Sequence, residues 1–241
     1  MEIELNKKEL KKLYSLVDIA KSKNQAYITD YKGYITLSPT GMYCSDGYRV
    51  GRYKGTYFDS NLGIHYVIVQ AIKAINPDLV KMDSNGQIEV IKDATKVTTM
   101  NVDLKSTYGL KWLDDRIPNY TEYMDIKPSE LIAVLEKYDK LGAEAPFVRI
   151  TVNKKDGYVE AIAVTNDKVV AGPDKVLMAA TEPVQISFST KYLLKYAKML
   201  KKARHIRIYF TTASAFAYAE EVDSKASSAY EFTLAPVAPM I

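Results

Sequence analysis

A single cysteine, Cys44, occurs in 241 residues, so no disulfide can form within the chain, and a reducing compartment is expected. Only two histidines are present, His65 and His205. No glycine-rich phosphate loop and no metal-ligand spacing can be read, so neither a metal nor a cofactor is expected. No apolar run approaches the length of a membrane span, and the opening MEIELNKKELKK lacks the apolar core of a signal peptide. A cytoplasmic protein is therefore expected. Charge of one sign is scarce too: 33 basic residues stand against 29 acidic ones, a formal balance of +4. Any contact with nucleic acid must then come from segregated charge and not from a basic whole. What is present, 47% hydrophobic and 26% charged residues, suits one or two ordinary domains with real cores.

Taken in order, MEIEL alternates as a short strand. Asn6 can cap a helix over KKELKKLYSLVDIAKSK, with Leu10, Leu13, Leu16, Val17 and Ala20 on its buried side. Lys7, Lys8, Lys11 and Lys12 crowd its first turns, where the helix dipole disfavours cations. Strands with tight turns follow as far as Phe58, with turn chemistry in Tyr-Lys-Gly, Pro-Thr-Gly and Ser-Asp-Gly. Asp59, Ser60 and Asn61 then offer caps for a second helix, Leu62 to Ile75, closed by Asn76-Pro77. Strands are expected over 79–82, 87–91, 96–102 and 107–110.

The segment 111–130 breaks this pattern, and the order of elements then repeats. Pro128 opens a helix through Leu141, and strands follow at 147–152 and 158–164, joined through Asp156-Gly157. An alternating strand with Val184, Ile186 and Phe188 leads through Ser189, as N-cap, into a helix ending near Arg204. Strands through Ile206, Ile208 and Phe210 and over 230–234 complete the second half. The halves share one order of elements without matching identities, as expected of an internal duplication. Lys191, Lys195, Lys198 and Lys202 fall at offsets of 0, 4, 7 and 11 and form one helical stripe, opposite Leu193, Leu194, Ala197 and Leu200.

Three stretches carry a resemblance. CSDGYRVG, residues 44–51, is similar to the ATDGHRLA turn of the bacterial DNA sliding clamp, with Tyr48 where that turn has histidine. DDRIPNYTEYM, residues 114–124, resembles the linker DGRFPDYRRVLP that enters the clamp's final domain. The ending YEFTLAPVAP resembles both the bacterial YVVMPMRL and the YYLAPK of proliferating-cell nuclear antigen. In this order, they make the chain resemble the last two domains of the bacterial polymerase III β subunit, the ring-shaped processivity factor of replicative polymerases.

The resemblance implies an α+β clamp fold of two tandem domains, each with two helices packed on antiparallel sheets. The expected boundaries are 1–112 for the N-terminal domain, 113–126 for a linker and 127–241 for the C-terminal domain. With two domains per chain, a six-domain ring needs a homotrimer, as in the eukaryotic and phage clamps. The implied partners are double-stranded DNA, bound without regard to sequence, and a DNA polymerase and clamp loader bound through short peptides. The helices of this family line the channel, which makes Lys7, Lys8, Lys11, Lys12, Lys73, Lys137, Lys140, Lys191, Lys195, Lys198 and Lys202 the DNA-facing candidates. Carried over position by position, the client-peptide pocket comprises Ile28, Ser45, Gly47, Val50, Pro118, Tyr123, Thr233, Ala235, Pro236 and Val237. Small and apolar side chains of this kind suit an anchor pocket.

Rival readings are distinguishable. Catalysis would have to draw on Cys44 and His65, yet Cys44 lies in an alternating strand and His65 is read on a helix with no third partner, so no enzyme is expected. A processivity factor of the same fold could bind DNA without closing, and its contacts would weaken steeply with salt. A small-molecule-binding α+β domain is allowed by 19 tyrosines but nothing points to it.

Overall fold

Buried and exposed residues alternate along the first strand, β1 (Glu2–Asn6), which places Ile3 and Leu5 in the core. The structure, a computed structural model, describes residues 1–22, 33–94, 96–107, 109–115, 121–153, 156–163, 168–210, 217–222 and 230–234, with 112, 113, 217–222, 231 and 232 described by their backbone alone. It divides into two compact units, Met1–Trp112 and Leu113–Ile241.

In the first unit, Asn6 ends β1 and caps α1 (Lys7–Ala20). Its Oδ1 accepts from the Lys8 and Glu9 amides at 2.9 and 3.1 Å, satisfying two donors that the first turn leaves unpaired. Leu10, Leu13, Leu16, Val17, Ile19 and Ala20 form the buried side, each large apolar group contributing about 1.5–3 kcal/mol of burial. The strands β2 (Tyr34–Ser38), β3 (Gly41–Ser45), β4 (Arg49–Lys54) and β5 (Leu62–His65) follow, and then α2 (Tyr66–Ile75), which packs against α1. β6 (Leu79–Asp83), β7 (Gln87–Lys92), β8 (Lys96–Asn101) and the two-residue β9 (Lys105–Ser106) complete the unit. All pairings are antiparallel, in the orders β1-β6-β7-β8 and β4-β3-β2-β5-β9.

Two expectations fail here. The helix expected from Leu62 begins at Tyr66, because Leu62–His65 pairs with β2, setting Leu62 opposite Leu37 and Ile64 opposite Ile35. At Gly63 a β-carbon would come within 2.7 Å of Thr107 Cγ2, so that strand needs glycine for close packing. The cap is His65, whose Nδ1 accepts from the Val67 amide at 3.4 Å, and not Asp59, Ser60 or Asn61. The strand expected over 107–110 is replaced by β9, ahead of one helical turn, α3 (Lys111–Asp114). Thr107 is held there by its hydroxyl contact with Thr36 at 2.9 Å.

The second unit repeats the order. β10 (Glu122–Ile126), which falls inside the 113–126 stretch, leads to α4 (Pro128–Asp139), with Pro128 in the first turn. A 3-10 turn at Gly142–Glu144 precedes β11 (Phe147–Asn153), β12 (Asp156–Ile162), β13 (Val169–Ala180) and β14 (Val184–Ser189). α5 (Thr190–Met199), β15 (His205–Phe210), β16 (Ala217–Val222) and β17 (Tyr230–Leu234) follow. The strands lie antiparallel in the order β14-β11-β12-β13-β10-β15-β16-β17, and α5 packs against α4.

Asp156 and Gly157 are not a turn: they begin β12, opposite Asn153 and Val152. Ser189 occupies the N-cap of α5 but its side chain makes no capping bond. Thr190 fastens that end instead, donating from Oγ1 to the Ala145 carbonyl at 2.9 Å. α5 stops at Met199 and not near Arg204. Residues 200–204 turn the chain so that Ala203 is buried and β15 can start at His205, a change that neither glycine nor proline marks.

Candidate functional site

The helix pair of each unit carries the lysines, and the structure sorts them by what holds them. On α1, Lys7 pairs with Asp78, and this bond holds the Lys7 ammonium above its ordinary range and the Asp78 carboxyl below its own. Lys8 and Lys11 are exposed. Lys12 is different: its side chain is 11% exposed, pairs with Glu9 at 2.9 Å and lies 5.7 Å from the Tyr53 ring centroid. Burial pushes the Glu9 carboxyl up, but hydrogen bonds from Tyr57 and Lys12 outweigh it and leave Glu9 below the usual range. Lys12 therefore braces α1 against β4 and offers little cation to solvent. On α2, Lys73 is exposed, with its ammonium 5.8 Å from the Tyr14 ring centroid.

In the second unit, Lys137 on α4 bonds both oxygens of Asp174 on β13, at 2.9 and 3.0 Å. Tyr138 Oη reaches the same carboxylate, and these partners, Tyr138 first, hold Asp174 below its ordinary range. Burial, helped by that carboxylate, pushes the Tyr138 phenol well above the ordinary value for tyrosine. Lys140, just past α4, and Lys191 on α5 are exposed, and Lys195 is half-exposed. Lys198 bridges the two helices through Glu136 at 2.8 Å, which lowers the Glu136 carboxyl. Lys202 lies beyond the end of α5, so the four-lysine stripe is in fact Lys191, Lys195 and Lys198. Its fourth member was lost with the early helix stop.

Of the expected pocket residues, Ile28, Pro118, Ala235, Pro236 and Val237 lie outside the described residues. The first unit supplies a built turn between β3 and β4. Ser45 Oγ accepts from the Gly47 amide at 3.2 Å, Gly47 takes φ +89°, and Val50 is buried on β4. Asp46, which sequence reasoning passed over, organises this turn. Its Oδ1 accepts from the Tyr48 and Arg49 amides, both at 3.1 Å, and its Oδ2 takes Arg49 Nε at 2.6 Å. Arg49 Nη2 reaches the Asp18 carbonyl on α1 at 3.3 Å, and both members of the pair are almost fully buried. An Asp-x-x-Arg spacing around a glycine is the signal that could have exposed it.

In the second unit Tyr123 is half-exposed on β10, and Thr233 is fully buried on β17, its hydroxyl without a hydrogen-bond partner among the described residues. Beside Tyr123 stand Arg207 and Tyr209 on β15, also missed, because only strand pairing brings them there. The rival catalytic residues have structural places. Cys44 is buried on β3 with its thiol pushed far up by burial, and His65 caps α2. Among the described residues no cluster of histidine, cysteine, aspartate or glutamate could hold a metal, and no helix is long and apolar enough to cross a membrane.

No protein-family model matches the sequence, and no curated protein matches it. Solved structures do. The DNA polymerase III beta chain of Streptococcus pneumoniae matches 98% of this chain with a TM-score of 0.74 at 19% identity. The DNA polymerase sliding clamp of Bacillus subtilis matches 98% with 0.73 at 17%. The sliding clamp of Bartonella birtlesii, solved bound to griselimycin, matches 98% with 0.71 at 16%. The match takes in 64%, 64% and 65% of those three chains, a little under two thirds of each. Along nearly its whole length, in an α+β arrangement of helices and antiparallel sheets, this chain has the fold of the DNA sliding clamps.

Proposed function

We propose that this protein is a DNA sliding clamp: a non-catalytic ring that encircles duplex DNA and tethers a replicative polymerase. The observation that carries this reading is the clamp fold extending over 98–99% of the chain, with the repeated order of elements inside it. A ring holds by topology, so its wall needs lysines that favour a nearby phosphate backbone without gripping it. Exposed lysines on α1, α2, α4 and α5 beside a net charge of only +4 fit that need.

Three copies supply the six domains of a ring. Exposed apolar residues on strands support closure by strand pairing between copies: Val97 on β8 is 55% exposed and Leu177 on β13 is 63% exposed. Client peptides of the polymerase and the loader are assigned to the turn residues Ser45, Gly47 and Val50 of the first unit and to Tyr123 and Thr233 of the second, each taken by itself, and the protein works in the cytoplasm of a bacterial or phage-infected cell. Griselimycin on the Bartonella clamp shows that a protein of this fold takes a bound molecule.

The deciding experiment is retention on circular against linearised DNA in high salt. A clamp stays on the circle and leaves once it is cut; equal loss from both would establish the second reading, a non-encircling accessory factor. Native mass gives the ring count. Three chains of 27.1 kDa are expected, and Val97→Lys is expected to lower that mass.

A further inference from the structure

Each unit carries a lysine in the last turn of its second long helix, Lys73 on α2 and Lys198 on α5. Both reach towards the helix packed alongside, and they meet different chemistry there. The Lys73 ammonium lies 5.8 Å from the centroid of the Tyr14 ring on α1, whereas Lys198 bonds the Glu136 carboxylate on α4 at 2.8 Å. A ring steadies a cation and leaves its charge uncancelled. A carboxylate cancels it. The first unit makes the same crossing without an acid, so the fold does not require one at position 136.

Stability does not account for Glu136 either. Both ends of its pair with Lys198 are half-exposed, where water competes for each group and an ion pair gains little. The larger consequence is electrostatic. Lys140 follows Glu136 by four residues, still in helical conformation at the end of α4, so the two share a face. Lys198 first, and Lys140 with it, hold the Glu136 carboxyl below its ordinary range. Lys191 and Lys195 precede Lys198 on α5 by seven and three residues and lie on its side of the helix. Lys140 and Lys191 are exposed and make no ion pair among the described residues. Glu136 thus sets an anion among these lysines and is bonded to one of them.

A phosphate that approaches Lys198 must take the place of Glu136, and the released carboxylate, still on that face, repels it. The contact is then an exchange of one anion for another, with a small net gain. We infer that Glu136 is a built-in competitor for phosphate, which occupies Lys198 until a DNA phosphate displaces it and so weakens the hold of the α4–α5 face on a duplex backbone. This rests on the reading that the lysine-bearing helices meet duplex DNA, and it deepens that reading by naming a residue that keeps the hold loose enough for sliding.

The test is fluorescence anisotropy of the full chain with a labelled linear duplex across a salt series. Glu136→Gln is expected to bind about threefold more tightly at about 50 mM salt, and to steepen the slope of log affinity against log salt by about 1, because Lys198 joins the phosphate contacts. Adding Lys198→Gln to Glu136→Gln should remove most of that gain. Asp139→Asn takes the same charge from the same helix without releasing a lysine, since Asp139 makes no ion pair among the described residues, and should gain less than half as much. Unchanged binding by a Glu136→Gln protein with the wild-type melting temperature overturns the inference. A gain that persists without Lys198 also overturns it, as does an equal gain in Asp139→Asn, since either would reveal a diffuse field and not a released lysine. The expected gain in a protein lost equally from circular and linearised DNA would sink encirclement alone. Retention on the circle without the gain would sink this inference alone, and no salt-dependent binding by either the wild type or Glu136→Gln would sink both.

Discussion

Asp125 grips Arg207 through both carboxylate oxygens, which accept from Nε and Nη2 at 2.8 and 2.9 Å, while the guanidinium face rests on Tyr123. Bidentate geometry makes this stronger than an ordinary surface ion pair, though both side chains remain 26% exposed and water screens part of the attraction. A double-mutant cycle of Asp125→Asn and Arg207→Met, followed by urea unfolding, is expected to give a coupling of about 1 kcal/mol. Additive single effects would mean that the pair is held by the sheet and contributes nothing of its own.

Asp46 should matter more. Its carboxylate is fully buried, ties off two amides of the turn and neutralises Arg49, which in turn reaches α1. Asp46→Ala leaves a buried guanidinium without its neutralising carboxylate, an expected loss of about 3–5 kcal/mol. Unfolding midpoints in denaturant would read this directly; a loss below about 1 kcal/mol would show that water reaches Arg49 and replaces the carboxylate.

This contrast marks what the sequence could disclose. α1 was legible with its cap and buried side, because Asn6 and the leucine spacing act within one turn of chain. The clamp-like order of elements was legible too, since turns and alternation are local. The start of α2 was not, because Leu62–His65 satisfies either pattern until β2 is there to pair with it. The same limit hid the site's charge balance. Nothing near Lys137 or Lys198 in sequence announces Asp174, 37 residues away, or Glu136 across a helix pair. The lysine stripe therefore looked more uniformly cationic than the folded units make it, and the meeting of Tyr123 with Arg207 and Tyr209 needs the register of β10 on β15.

Asp174 gives the second unit a pH window. Tyr138 and Lys137 depress its pKa below the ordinary 3.8, so its stabilising effect is complete above that value and is lost as pH falls through the folded-state pKa. The Tyr138 phenol is raised above the ordinary 10.0, chiefly by burial, so its contribution is complete below 10.0 and is lost as pH rises through the folded-state value. Asp174→Asn should flatten the acid limb of a melting-temperature profile between pH 5 and 2, in the range of ordinary carboxylate titration. An unchanged acid limb would place the acid sensitivity at other carboxylates, with Glu9 the next to replace, since it is also depressed.

The lysines divide into two experimental classes. Lys11 and Lys191 are exposed and make no ion pair among the described residues, whereas Lys12 is mostly buried against Glu9 and Tyr53. Lys11→Glu and Lys191→Glu are expected to weaken association with linear duplex DNA while leaving the melting temperature within a degree or two. Replacing a lysine that meets phosphate should also reduce the slope of log affinity against log salt by about 1. Lys12→Ala should do the opposite, lowering stability by about 1 kcal/mol through lost packing and a Glu9 left with Tyr57 but without its cation, with little change in the salt slope. If Lys12→Ala changed the slope and Lys191→Glu did not, the DNA-facing surface would have to be moved from the open side of the helices to the neighbourhood of β4. The encirclement reading would then lose its wall.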